Sequence, residues 1–264
     1  MHRVTLALLV SVAFFAMSST AHAASVLFSN SGPGVNGVTL NASALFEING
    51  NQLKITLRNT GDTSGNNTDV SGNTLTGVFF DLPSNIKLTP VSAAIAPGDL
   101  LQGSTSSPGP STSTTTNVGG EFKYATGTWS GHDGNNAISS SGYVSGSMGN
   151  FNGANLDDPG SLDGINFGII APITSQNKFK PNGGLANDPL IEGEVVFTMT
   201  IAGGTLTTGQ ISNVSFQYGT SLSEPKLPPG YRPPPPVPEP AALLLLAPAV
   251  AFALRKRAAK KTAR

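Results

Sequence analysis

The chain has 264 residues, no cysteine, and 15 Lys+Arg residues against 15 Asp+Glu residues, which gives a formal net charge of zero. Because cysteine is absent, the sequence excludes disulfide bonds, thiolate metal ligands and thiol redox chemistry. Its 31 glycines and 20 prolines predict many turns between short elements.

Residues 1–23 have the three parts of a secretory signal peptide. Arg3 precedes an apolar segment at residues 4–16, and the small residues Ala21 and Ala23 stand on either side of a histidine at the end of a polar stretch. This order predicts export and cleavage after Ala23. A membrane anchor or a buried helix is disfavoured, because the apolar segment is shorter than the roughly 20 residues that a membrane span needs.

Short strand-like runs follow the predicted cleavage site. The clearest is residues 43–59, "SALFEINGNQLKITLRN", in which apolar and polar residues alternate after the Asn49-Gly50 turn signal. This pattern predicts a β-hairpin. The other predicted strands are residues 75–82, 121–129, 164–171, 194–201 and 214–218.

The predicted fold is all-β. No segment with helical periodicity of useful length occurs between residues 24 and 224, and short strands separated by Gly, Asn and Pro turns favour an antiparallel β-sandwich over residues 24–224, with a β-barrel as the runner-up. Residues 103–120 predict a long polar loop. Residues 225–236, "PKLPPGYRPPPP", predict a Pro-rich spacer in the extended polyproline II conformation.

The net charge of the whole chain is zero, but the part between the two terminal segments, here called the body, is acidic. Arg3 and six basic residues after residue 254 leave eight of the 15 basic side chains in the body, while Glu239 alone is removed from the 15 acidic ones, so that the body carries roughly −6. It also has no basic run. Nucleic-acid binding and adhesion to an anionic membrane surface are therefore disfavoured.

Candidate chemistry in the body is sparse. His132, the only histidine after the predicted cleavage site, lies beside Ser130 and Asp133 in "WSGHDGNN". Neighbours in one turn do not provide the spatial arrangement of a catalytic triad, so a secreted hydrolase is only the third interpretation. We expect no enzyme activity and no resident cofactor.

Two further features suggest ligands. Asp157, Asp158 and Asp163 stand in the loop "NLDDPGSLDG", which offers hard oxygen atoms to calcium, although starting turns and capping amides is the preferred interpretation. Trp129 is the aromatic side chain most suited to stacking on a sugar ring, although most aromatic residues of a sandwich belong to its core.

The C-terminal residues 237–264 have a three-part pattern. Val237, Pro238, Glu239 and Pro240 precede an apolar run of 14 residues at 241–254, and a basic cluster follows at once, formed by Arg255, Lys256 and Arg257. As a helix the run would span about 21 Å, which is short of the roughly 30 Å hydrocarbon core. The flanking positive charge predicts that the tail stays on the cytoplasmic side.

In these residues the segment resembles the PEP-CTERM sorting signal of exported bacterial proteins. The resemblance covers about a tenth of the chain. It implies that an integral-membrane transpeptidase-like enzyme, exosortase, recognises the Pro-Glu-Pro triplet and removes the segment behind it. Pro248 within the apolar run is a departure that leaves the geometry of insertion open.

Together these features predict an exported bacterial protein with a structural or adhesive role at the cell surface or in the extracellular matrix. The expected partners are the secretion machinery and exosortase, with the C-terminal segment inserted transiently in the inner membrane. The alternative is a carbohydrate-binding module for extracellular polysaccharide.

Overall fold

The computed structural model describes residues 23–61, 71–101, 116–141, 154–156, 165–173, 185 and 188–230. The predicted sorting segment with its terminal helix, the Asp157, Asp158 and Asp163 loop, and the predicted signal peptide up to Ala21 and His22 lie outside these residues. Within them, helical structure is limited to short 3-10 turns. None of these helices is long and apolar enough to cross a membrane.

The described chain is all-β, as the sequence predicts. Its strands are β1 (Ala24–Pro33), β2 (Thr39–Asn49), β3 (Gln52–Asn59), β4 (Leu75–Asp81), β5 (Lys87–Ala94), β6 (Leu100–Leu101), β7 (Lys123–Thr126), β8 (Asn136–Ser139), β9 (Ala154–Asn155), β10 (Ile169–Ile170), β11 (Leu190–Glu192), β12 (Glu194–Ala202), β13 (Ser212–Tyr218) and β14 (Lys226–Leu227).

The first sheet has five strands in the order β1-β2-β3-β12-β5, and every neighbouring pair is antiparallel. The predicted hairpin is confirmed as β2 and β3. Gly50 has φ +60°, the left-handed conformation that this turn requires, and Asn49 pairs with Gln52. The alternation predicted for residues 194–201 is also confirmed, because every second side chain of β12, from Val195 to Ile201, is buried.

The second sheet has nine strands. Its main path is β6-β11-β10-β4-β8-β7-β9, with β13 pairing β4 and β14. The strands β10 and β11 run parallel, which corrects the expectation of a purely antiparallel arrangement. Parallel pairing needs a long connection between the strands, and no short-range pattern in the sequence signals it.

Two predicted strands are shorter than expected. Only Lys123–Thr126 of residues 121–129 and only Ile169–Ile170 of residues 164–171 are strands. In the second case Phe167 has φ +59°, and its turn interrupts the strand predicted over residues 164–171.

Most of the buried apolar residues of both sheets form one main cluster. Phe46 of the first sheet and Phe80 of the second meet edge to face, with ring centroids 5.3 Å apart. Phe122, next to β7, meets Phe197 of β12 at 5.0 Å. These contacts hold the sheets together by burial of apolar surface in a chain that has no disulfide.

The body extends beyond the predicted boundary at residue 224. Strand β14 lies within the predicted spacer and pairs with β13, and the Asn30 side chain donates a hydrogen bond to the Pro228 carbonyl oxygen at 2.7 Å. Leu227 is buried in the main cluster. One buried leucine and a short strand pairing thus attach the start of the Pro-rich segment, up to Gly230, to the body.

Candidate functional site

The candidate site lies on the face of the second sheet that points away from the main cluster. In β4, Val78 and Phe80 are buried in the main cluster, while Phe79 between them belongs to a second, small cluster with Ala125 and Ala137. This follows from the period of two along a strand. Trp129 and Leu222 pack against the small cluster from outside the sheet.

A tight loop at residues 127–135 carries the predicted site residues onto this face. The His132 amide donates to the Trp129 carbonyl oxygen at 3.1 Å, and Gly131 between them has φ +81°. The Asn135 amide donates to the Asp81 carboxylate at 2.8 Å. The loop is therefore fixed to β4.

His132 is the centre of the site. It is 7% exposed, and its ring stacks on the Phe79 ring at a centroid distance of 3.8 Å and an interplanar angle of 11°. Its Nδ1 lies 2.7 Å from the Ser215 hydroxyl, and its Nε2 lies 2.9 Å from Gln217 Oε1. Both ring nitrogens of this buried side chain have partners.

The environment of Gln217 fixes the tautomer of His132. Gln217 Nε2 lies within hydrogen-bond distance of four backbone carbonyl oxygens, those of Tyr218, Ser221, Glu224 and Pro225. The amide nitrogen therefore points at these acceptors, and Oε1 accepts from His132. The proton of the neutral imidazole is then on Nε2, and Nδ1 accepts from the Ser215 hydroxyl.

Burial lowers the pKa of His132 below its ordinary value of 6.5. The hydrogen bond to Gln217 and the carboxylate of Asp133 oppose this shift, while the positive charge of Lys226 adds to it. Loss of hydration is the largest effect, so the imidazole is neutral at neutral pH.

The arrangement differs from the grouping of Ser130, His132 and Asp133 that the sequence suggested. Ser130 and Asp133 are exposed, and the hydrogen-bond partners of the ring are Ser215 and Gln217. Ser215 is completely buried, and Gln217 carries no charge to stabilise an imidazolium ion. The hydrogen bonds of His132, Ser215 and Gln217 therefore hold the 127–135 loop and the connection between β13 and β14 in place.

Trp129 is half-buried. Its ring meets Phe79 edge to face, with centroids 5.2 Å apart and an interplanar angle of 71°. The neighbouring Thr128, Ser130 and Gly131 are exposed. One part of the indole thus belongs to the small cluster, and the rest lies beside a polar, solvent-accessible loop.

The residues that the structure describes contain no group of three His, Cys, Asp or Glu side chains able to hold a metal ion. Asp157, Asp158 and Asp163, the calcium candidates, remain a prediction.

Sequence reasoning missed Ser215, Gln217 and Phe79. The available signal was the alternation of Val214, Phe216 and Tyr218, which places Ser215 and Gln217 on the opposite face of the same strand. Their pairing with His132 spans 83 and 85 residues, a separation that no local pattern reports.

Comparison of the chain with protein-family models, with curated proteins and with solved structures found no match.

Proposed function

We propose that the chain is an exported bacterial protein with a structural or adhesive role at the cell surface or in an extracellular matrix such as a biofilm, sorted by residues 237–264. The observation that carries the proposal is the C-terminal order of the Pro-Glu-Pro triplet, the 14-residue apolar run and the Arg255, Lys256 and Arg257 cluster. An apolar segment this short gives a poor permanent anchor and suits a temporary one.

The N-terminal boundary of the fold supports export. Strand β1 begins at Ala24, the residue after the predicted cleavage site, and pairs with β2 from Ala24 onwards. Removal of residues 1–23 would therefore leave the first sheet complete.

We further propose that the two sheets pack face to face as a sandwich. The support is the main cluster, which takes buried side chains from both sheets, and the aromatic contacts between Phe46 and Phe80 and between Phe122 and Phe197. Such a body would need no disulfides outside the cell, because burial of apolar surface between the sheets stabilises it.

The sorting segment follows the body at a short distance. The last described residue, Gly230, lies beside β1, and Val237 comes seven positions later, after four consecutive prolines at 233–236. The prolines would hold the Pro-Glu-Pro triplet away from the body and accessible to exosortase in the inner membrane.

Neutralising the basic cluster tests this function. Replacing Arg255, Lys256 and Arg257 by Gln removes the charges that keep the tail cytoplasmic, so we expect the processed form to decrease and the unprocessed precursor to accumulate. The measurement is the ratio of precursor to mature protein on an immunoblot of membrane and secreted fractions.

The matched control replaces Lys260, Lys261 and Arg264, which also lie in the tail but farther from the apolar run. We expect this control to be processed almost normally. Normal maturation of the Arg255, Lys256 and Arg257 variant would contradict the proposed sorting role.

A carbohydrate-binding module is the second candidate, favoured by the half-buried Trp129 beside its exposed polar loop. Tyrosine and tryptophan rings that are fixed on one side are suited to stacking on sugars. A glycan array would separate the candidates: binding that Trp129→Ala abolishes supports the module, and absence of binding supports the structural role.

A further inference from the structure

The two edges of the five-stranded sheet are protected to different degrees. Strands β1 and β5 are its edge strands. An edge strand presents unpaired N–H and C=O groups that can pair with another chain, and proteins commonly protect such edges with charges, prolines or bulges.

The β5 edge has several of these protections. Its strand contains Lys87 and Pro90, and its pairing with β12 shifts register between Thr198 and Met199. The end of β5 is also covered, because the Val118 amide donates to the Ala93 carbonyl oxygen at 2.9 Å. This edge is a poor template for a further strand.

The β1 edge lacks them. Its sequence, "ASVLFSNSGP", has no charged residue, and its one proline is the last residue of the strand. The second half of β1 is covered by the C-terminal segment, since Asn30 bonds to Pro228 and Gly230 approaches Ser29. Within the described residues, positions 24–28 pair with β2 on one side only, and Leu27 is 42% exposed.

We propose that residues 24–28 pair with the same residues of a second copy of this chain. The strands run antiparallel about a two-fold axis at Val26, so that Val26 faces Val26 of the second copy and Ser25 faces its Leu27. In this register each of the five residues lies opposite a residue of the second copy, and the backbone groups of Ser25 and Leu27 pair across the edge. An antiparallel edge is complementary to itself, and residues 24–28 carry no charged side chain that would repel the second copy.

The interface is small. Five paired residues bury less than the roughly 1,000 Å² expected of a stable complex, so the association is weak and is favoured where copies are concentrated, as in a surface layer or matrix. The inference does not depend on the proposed sorting function, because pairing of residues 24–28 requires only that the body is folded.

The absence of cysteine makes cross-linking a direct test. Facing residues of antiparallel strands have Cα atoms about 4.5–5.5 Å apart, within the range that a disulfide bridges. We would express the full chain carrying Val26→Cys, oxidise the lysate with copper phenanthroline, block free thiols and separate the products on a non-reducing gel. We expect a covalent dimer to form in a yield several-fold above that of the control variant.

The matched control is Val91→Cys on the protected β5 edge of the same sheet, where the side chain is 48% exposed. We expect several-fold less dimer from it, and we expect Leu27→Lys added to Val26→Cys to suppress the dimer. A dimer yield from Val26→Cys no greater than that from Val91→Cys would overturn the proposal, as would preferential linkage of Val26→Cys to Val91→Cys in a mixture.

If Val26→Cys alters the thermal unfolding of the chain, a mixture of Ser25→Cys and Leu27→Cys replaces it. Both side chains lie on the outer face of β1 and are exposed. The proposed register predicts that the two variants link to each other. Failure of this mixture to link above the level of Val91→Cys would count against the proposal in the same way.

Discussion

Gln217 and His132 form a buried, densely hydrogen-bonded polar pair. Gln217 contacts the ring of His132, the backbone carbonyl oxygen of Tyr218 at the end of β13, and three backbone carbonyl oxygens of the segment between β13 and β14. A buried network in which every group has a partner contributes to a unique structure, whereas removal of one member leaves others unpaired. The cluster therefore stabilises the loop that carries Trp129.

Acid should weaken this cluster. The folded protein holds His132 neutral, with its pKa below 6.5, while the unfolded chain takes up a proton near 6.5. The unfolded state therefore binds more protons, and the free energy of unfolding should fall as the pH drops from about 6.5 towards the lower pKa of the folded state. Urea unfolding at several pH values measures this.

The control for this prediction is His132→Gln, which removes the titrating group. We expect the variant to be less stable at neutral pH but to lose less stability than the parent between pH 7 and pH 5. An equal loss in parent and variant would show that His132 is not the source of the acid sensitivity.

Tyr218 has a buried hydroxyl that, in the described structure, has no hydrogen-bond partner. Burial also strongly raises its pKa. An unpaired buried hydroxyl costs about 1–3 kcal/mol, so Tyr218→Phe should leave the free energy of unfolding unchanged or raise it by about 1 kcal/mol. Chemical denaturation of the two proteins gives the difference.

Tyr124→Phe provides the opposite control, because the Tyr124 hydroxyl donates to Asn136 Oδ1 at 2.5 Å. Its loss should lower stability by about 1–2 kcal/mol. Should Tyr218→Phe destabilise the protein as much as Tyr124→Phe, the Tyr218 hydroxyl must have a partner, such as a buried water.

At the scale of elements, the 127–135 loop meets β4 at a point with no room for a side chain. A Cβ at Gly134 would lie 2.4 Å from the Phe80 amide nitrogen, so Gly134→Ala forces the loop away from the strand. We expect a loss of more than about 2 kcal/mol and a shift in the fluorescence of Trp129, the single tryptophan of the chain.

Gly127 lies in the same loop and serves as the control. A Cβ there would touch only the Trp129 ring, at the ordinary distance of 3.6 Å. Gly127→Ala should therefore change stability and fluorescence little. Equal effects of the two substitutions would contradict the close approach of the loop to β4.

The elements that local patterns predict are those whose alternation is regular. Strands β2, β3, β12 and β13 satisfy this condition, and the structure confirms them. Strand β4 is also confirmed, but it is a short apolar run that is buried on both faces. Strand β1 has serines on its exposed face and few large apolar residues, and β5 is interrupted by Pro90, so neither gives a clear alternating signal. The parallel pairing of β10 and β11 depends on contacts distant in sequence.

For the candidate site too, local sequence patterns predict single residues but not the contacts between them. His132 and Trp129 were identifiable as single residues, because one is the only histidine of the predicted mature chain and the other the only tryptophan. Their common contact with Phe79 and the pairing of His132 with Ser215 arise from the fold. Such contacts follow from the register of β13 against β4, which the sequence does not specify.

At the scale of the whole molecule, the proposed function assigns separate roles to a folded body and to two terminal targeting segments, one for export and one for sorting. The body is described from Ala23 to Gly230, with gaps, and it starts and ends beside the two predicted processing regions. Its first and last strands, β1 and β14, lie close together, and Gly32 approaches Leu227.

The mass of the mature protein, isolated from a bacterium that exports and processes it, tests the central proposal most directly. The proposal predicts an N-terminus at Ala24 and the loss of the residues that follow the Pro-Glu-Pro triplet, including the whole basic cluster, with any attached group visible as added mass. Recovery of a stable membrane-bound product that still ends in Arg264 would contradict it.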